Sequence, residues 1–132
     1  MKLRTVASVL DIPANAWNAC ANPSGHNPFV THEFFRAVEE SGSAVARTGW
    51  RGQHLVCENQ HGEIEGIAPC YLKSHSQGEY VFDHGWAQAF QRAGGSYYPK
   101  LQVSVPFTPV TGPRLLATRA GTRKLLAQGL VA

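Results

Sequence analysis

The segment Tyr71-Leu72-Lys73-Ser74-His75-Ser76-Gln77-Gly78-Glu79-Tyr80-Val81-Phe82-Asp83-His84 concentrates groups able to do chemistry. It holds one cation, two carboxylates, two imidazoles, two serine hydroxyls and two phenols. It starts where an apolar run gives way to a polar loop, a common place for a site because a rigid element can aim loop side chains. If Tyr80 to Asp83 is extended, side chains alternate across the strand, so Glu79, Val81 and Asp83 share one face and Tyr80 and Phe82 the other. Two carboxylates on one face, near Lys73 and His75, make either a base held by a cation or an amine-binding pair. The plainer alternative is a solvated connection in which Glu79 neutralises Lys73 at the surface, worth at most ~1 kcal/mol.

Other chemistries find less support. The six histidines stand at 26, 32, 54, 61, 75 and 84, and none forms an HxH, HxxxH or HExxH pair. Metal ligation needs convergent side chains at ~2 Å from the ion, so no metal site is expected and the histidines read as solvated loop residues. Ser74, His75, Ser76 and Asp83 are the residue types of a hydrolase triad, but no GxSxG elbow is present. No Walker loop and no GxGxxG occurs, and Gly94-Gly95-Ser96 reads as a helix stop. Cys20, Cys57 and Cys70 are odd in number, far apart and without a CxxC, which argues for small buried hydrophobes rather than disulfides or zinc ligands.

The elements that must position the polar segment are partly legible. Lys2 to Leu10 alternates as a strand. Pro13 opens a short amphipathic helix over 13–21, with Ile12, Ala16, Trp17 and Cys20 at helical spacing. A second helix spans 31–41, with Thr31 as N-cap, Glu33 in the first turn and Gly42 as its stop. Phe34, Phe35, Ala37 and Val38 supply its apolar face, while Arg36, Glu39 and Glu40 are expected in water. His54–Glu58 and Ile64–Lys73 form a hairpin around Asn59-Gln60-His61-Gly62. Both faces of its second strand are apolar, which predicts cover on both sides. Pro69 cannot donate to a ladder and predicts a bulge or one-sided pairing. A short strand is expected at Tyr80–Asp83. A helix through Trp86, Ala89, Phe90 and Ala93, a strand through Leu101, Val103 and Val105, and a helix over 122–131 follow. Strand, two helices and a hairpin in that order predict an α/β (α+β) chain with a mixed, largely antiparallel sheet and flanking helices.

At 132 residues the chain has the size of one domain. Its 43% hydrophobic content supports a packed core. Twelve basic against nine acidic residues, scattered, leave a net charge of +3 and no nucleic-acid footprint, so DNA is not expected as a partner. No apolar run approaches the ~20 residues of a membrane span, and no signal peptide is evident. A cytoplasmic location is expected. A leucine-bearing helix at the end, without a later element, predicts a chain cut from a longer protein, with 1–116 as core and 117–132 starting a following helix.

Three longer patterns resemble a known family. The first is Asn27-Pro28-Phe29, His32-Glu33-Phe34, Glu39-Glu40-Ser41-Gly42-Ser43 and Thr48-Gly49-Trp50. The second runs from Tyr71 to Ser76 and from Gly78 to Asp83. The third runs from Tyr97 to Val103 and from Val105 to Leu116. Together they resemble the bacterial GNAT-type, Fem-like peptidoglycan biosynthesis or recognition proteins, from Ile12-Pro13 onward. The resemblance implies an incomplete GNAT-like sheet and a single N-terminal lobe, 1–132, of a longer two-lobed protein. It implies acyl or aminoacyl transfer to an amine by the full-length protein, and no activity from this length alone. The donor it implies is acyl-CoA or aminoacyl-tRNA, and the acceptor a small molecule or peptidoglycan precursor.

Such transfer needs a base, an acid and an anion holder. Glu79, Asp83, His75 and His84 are the candidate bases, and Tyr80 or Tyr71 the acid. Lys73, Ser74, Tyr71 and Arg114 are the candidate substrate contacts. A GNAT pyrophosphate loop is missing; Arg119-Ala120-Gly121-Thr122 comes nearest but lacks the second glycine. That departure favours a second reading, a non-catalytic substrate-binding or scaffold domain. An incomplete sheet also leaves an edge, which predicts self-association.

Overall fold

The computed structural model describes residues 1–75, 84–107 and 112–131. The expected strand at Tyr80–Asp83 lies outside them. Among the described residues the strands are β1 (Lys2–Val6), β2 (Trp50–Gly52), β3 (His54–Glu58), β4 (Ile64–Ala68), β5 (Cys70–Lys73), β6 (Lys100–Val103) and β7 (Leu116–Ala117). The α-helices among them are α1 (Ala14–Ala21), α2 (His32–Glu40), α3 (His84–Arg92) and α4 (Ala120–Val131). The chain is a mixed α/β protein, and its sheet pairings are antiparallel.

The strands divide between two sheets, β1-β3-β4-β7 and β2-β5-β6, where one was expected. The reason lies at two residues. Pro69 has no N–H to offer, so the long second strand of the hairpin breaks there. Across from the break Gln53, opposite Cys70, separates β2 from β3. N-terminal to Pro69 the chain pairs with β3 and β7, and C-terminal to it with β2 and β6. A side chain staples the joint. His54 Nδ1 accepts from the Cys70 N–H at 3.1 Å, and the Gln53 N–H donates to the Cys70 carbonyl at 2.9 Å.

The first sheet is covered on both faces, as its apolar alternation requires. α1 and α2 bring Trp17 and Phe35 onto Val6, Val56 and Ile67. α4 brings Leu126 onto Leu55, Cys57, Ala68 and Ala117, on the other face. The terminal helix thus finds its partner in the sheet. Trp17 is wholly buried and its indole N–H donates to the Val30 carbonyl at 2.8 Å. All three cysteines are buried and free.

Thr31 caps α2 as expected, accepting from the Phe34 N–H at 3.2 Å. Thr31→Ala is expected to lower stability by ~1 kcal/mol; urea denaturation of the two proteins measures it. Two expectations for this helix fail. Ala37 is exposed. Glu39 is not solvated but half-buried, accepting from Ser8 Oγ at 2.5 Å and the Val9 N–H at 3.1 Å. It closes the turn after β1, a long-range role that helical spacing does not reveal.

Two histidines also depart from the solvated loop reading. His32 is buried at the start of α2, its Nε2 donating to the Val9 carbonyl at 2.8 Å. His54 is wholly buried. His26 and His61 are exposed.

Candidate functional site

β5 carries Tyr71 and Lys73 on alternate positions and delivers Ser74 and His75 at its end. In register, Lys73 stands opposite Trp50 on β2 and opposite Lys100 on β6, and Tyr71 opposite Gly52 and Gln102. Lys73 is fully buried, with Nζ 3.6 Å from the centroid of the Trp50 ring. A desolvated ammonium over an indole face gains on the order of 2 kcal/mol. Trp50 is walled by Tyr71 and Phe107, each with its ring centroid 5.1 Å away. Tyr71 is buried as well. Burial, with the nearby Glu39 carboxylate and Cys70 adding to it, pushes its phenol pKa well above the usual range, so it stays protonated.

Ser74 is exposed and its N–H approaches the Gly49 carbonyl at 3.4 Å. His75 is half-buried and its Nε2 lies 2.9 Å from the Thr48 carbonyl oxygen. A carbonyl only accepts, so Nε2 is the protonated nitrogen and Nδ1 is the basic one in the neutral ring. Gly49 makes this possible. Its φ is 83°, and a Cβ there would fall 2.2 Å from His75 Nε2 and 2.9 Å from Ser74 Oγ.

Of the other residues singled out, Glu79, Tyr80 and Asp83 lie outside the described residues, and so does the side chain of His84. Arg114 is half-buried, with Nη1 donating to the carbonyls of Gly112 and Pro113 at 3.1 and 3.2 Å. A Cβ on Gly112 would lie 2.6 Å from Asn27 Nδ2 and 3.8 Å from Arg114 Nη1, so the first and third patterns meet there. Burial lowers the Arg114 pKa from its ordinary value. Sequence reasoning missed Thr48, Gly49, Trp50 and Phe107 as site residues. The glycine ahead of a strand was the available signal for the first three; nothing local marks Phe107.

Among the described residues, no group of three or more His, Cys, Asp or Glu side chains is placed to hold a metal ion. The turn into α4, with Arg119, Gly121 and Thr122, does not suit an acyl-CoA pyrophosphate either. Glu65 lines the pocket at that turn, its Oε2 buried and without a partner among the described residues, and a carboxylate there disfavours an anion.

A family model described as peptidoglycan biosynthesis/recognition, FemAB_like, matches residues 8–132. The chain belongs to this FemAB-like family. Searches of curated proteins and of solved structures found no match. Membership ties the chain to peptidoglycan. The FemAB-like match takes in all three patterns, including the meeting of Thr48-Gly49-Trp50 with Lys73-Ser74-His75. No helix among the described residues is long and apolar enough to cross a membrane.

Proposed function

We propose that the chain is the N-terminal lobe of an N-acyl or aminoacyl transferase whose acceptor is an amine of a peptidoglycan precursor. The loop 73–84 contacts substrate, and His75 is its base. The observation that carries this reading is the anchorage of the imidazole: Thr48 holds Nε2–H, so Nδ1 is the nitrogen able to take a proton. The amine nitrogen bonds to the acyl carbon and its proton passes to Nδ1, while the bond from that carbon to the donor's leaving atom breaks and the leaving atom keeps the electron pair. Lys73 supplies fixed positive charge at the root of the loop, and the exposed Ser74 hydroxyl is a hydrogen-bonding contact for substrate. Glu79 and Asp83 hold the amine, Tyr80 protonates the leaving group, and Arg114 binds an anionic part of the substrate.

In the full-length protein, His75→Gln is expected to lower transfer by ~10²–10⁴-fold, with muropeptide binding and the melting temperature nearly unchanged. Glu79→Gln and Asp83→Asn are expected to weaken muropeptide binding. Wild-type turnover by all three variants would overturn the assignment. The misfit of an acyl-CoA pyrophosphate at Glu65 favours a second reading, a lobe that binds the precursor without reacting with it. A wild-type protein that binds muropeptide but transfers nothing would select that reading; one that does neither removes both.

A further inference from the structure

α3 carries the largest apolar side chain that the described residues leave in solvent. Trp86 is 76% exposed, and Phe90, four residues on and so on the same side of the helix, is 50% exposed. Of residues 85–92 only Ala87 is buried. The aromatic side chains are held in place. The Gly94 N–H donates to the Gln91 carbonyl and the Gly95 N–H to the Phe90 carbonyl, each at 3.0 Å, and close the helix. A Cβ on Gly95 would fall 2.3 Å from the Phe90 ring, so the chain turns back directly against that ring. Phe90 meets Tyr97 edge-on with centroids 6.2 Å apart, and Tyr97 meets Tyr98 at 5.1 Å. Lys100 Nζ stands 5.6 and 5.9 Å from the two tyrosine centroids.

The sequence that builds this patch carries one sign of charge. All nine carboxylates of the chain lie within residues 1–83, whereas residues 84–132 hold six lysines and arginines. Arg92 is in the last turn of α3, and Lys100, beside the tyrosines, opens β6. The last carboxylate in the chain, Asp83, comes just before the helix.

We propose that this face docks on a bilayer rich in anionic phospholipid. Trp86 and Phe90 enter the boundary between headgroups and acyl chains, and Arg92 and Lys100 meet lipid phosphates. Tryptophan and tyrosine suit that boundary because each joins an apolar body to a polar tip. Basic residues beside them gain from the negative surface. A folded protein partner suits the face less well. Three quarters of a tryptophan and half of a phenylalanine amount to on the order of 300 Å², against ~800 Å² per partner in a stable protein interface. A fluid surface needs no matching shape, so a few protruding anchors and positive charge suffice. α3 begins where the candidate loop 73–84 ends, so docking would hold that loop at the membrane. The proposal does not depend on the transfer reaction.

Trp17 and Trp50 are buried, so Trp86 is the tryptophan whose emission reports on solvent. Vesicles of equal parts phosphatidylglycerol and phosphatidylcholine, added to the wild-type chain, are expected to shift that emission to the blue and shield it from acrylamide. They are also expected to carry the protein down on sedimentation. Pure phosphatidylcholine is expected to bind at least ~5-fold more weakly, and ~0.5 M salt to weaken binding to the mixed vesicles. By sedimentation, Trp86→Ser is expected to lower partitioning to the mixed vesicles at least ~10-fold and Arg92→Gln about 5-fold, both with unchanged far-UV circular dichroism. Leu10→Ser, which removes an exposed leucine from the turn after β1, is expected to bind like the parent. No binding to the mixed vesicles, equal binding to pure phosphatidylcholine, or parent-like binding by Trp86→Ser would each overturn the proposal. So would an equal blue shift with oligothymidine, or one brought on by raising protein concentration without lipid; these would assign the face to a nucleic acid or to a second copy. The lipid comparison on wild-type protein decides the matter even if a variant fails to fold.

Discussion

Gly52→Ala is expected to destabilise the protein by on the order of 3 kcal/mol or more, a fall in melting temperature of ~10 °C or more. A Cβ at residue 52 would lie 2.1 Å from the Ala7 carbonyl oxygen and 3.1 Å from its carbon. Both are backbone atoms, so no rotamer change relieves the overlap. The end of β1 would have to part from β2, beside the joint where Gln53, His54 and Cys70 hold the two sheets together. Gly121→Ala is the control. Nothing lies within 4 Å of a Cβ there, and residue 121 is in the first turn of α4, so a small gain is expected. Thermal unfolding of the two variants and the parent tests this. A Gly52→Ala protein that melts within a few degrees of the parent would refute the close-packed joint.

Acidification is expected to weaken the fold through the same joint. Burial lowers the His54 pKa from 6.5 to about 4. Its Nδ1 accepts the Cys70 N–H, so the neutral ring keeps its proton on Nε2, a buried atom with no partner among the described residues. The depressed pKa sets the sign. Between pH 6.5 and 4 the unfolded chain binds a proton that the native protein refuses, so stability falls as pH falls. At ~1.4 kcal/mol per pH unit the full window is worth about 3 kcal/mol. Carboxylates begin to titrate near the bottom of that window, so the decisive interval is pH 6.5 to 5, with ~2 kcal/mol lost. Denaturant unfolding at several pH values should show that slope in the parent, and a flat profile over the same interval in His54→Gln. An equal slope in both proteins would place the sensitivity elsewhere.

The hairpin and α2 were legible because their signals are local. Thr31 and Gly42 bracket a helix that begins and ends where they say, and Asn59 to Gly62 turns the hairpin. Pro69 announced an interruption for the right reason, a missing donor. What it could not announce was the consequence, because a break in one strand becomes a second sheet only when the neighbouring strand breaks beside it, at Gln53. Glu39 and the buried histidines were misread for a related reason. A charged or aromatic-polar residue is buried when a distant backbone group needs it, as Val9 needs both Glu39 and His32.

The sequence by itself determined the element types, the antiparallel α/β class, the burial of the cysteines and the polar character of the strand end at Lys73 to His75. Period, caps and turn residues act over a few positions, and the chain carries that information in order. Only the tertiary structure decided that Lys73 lies beneath Trp50, that Gly49 leaves room for the His75 ring, and that Glu65 is the extra residue of a bulge, held by Asn59. Each of these depends on which residue stands across a sheet from which, and strand register is set by the packing of the whole core rather than by neighbours in the chain.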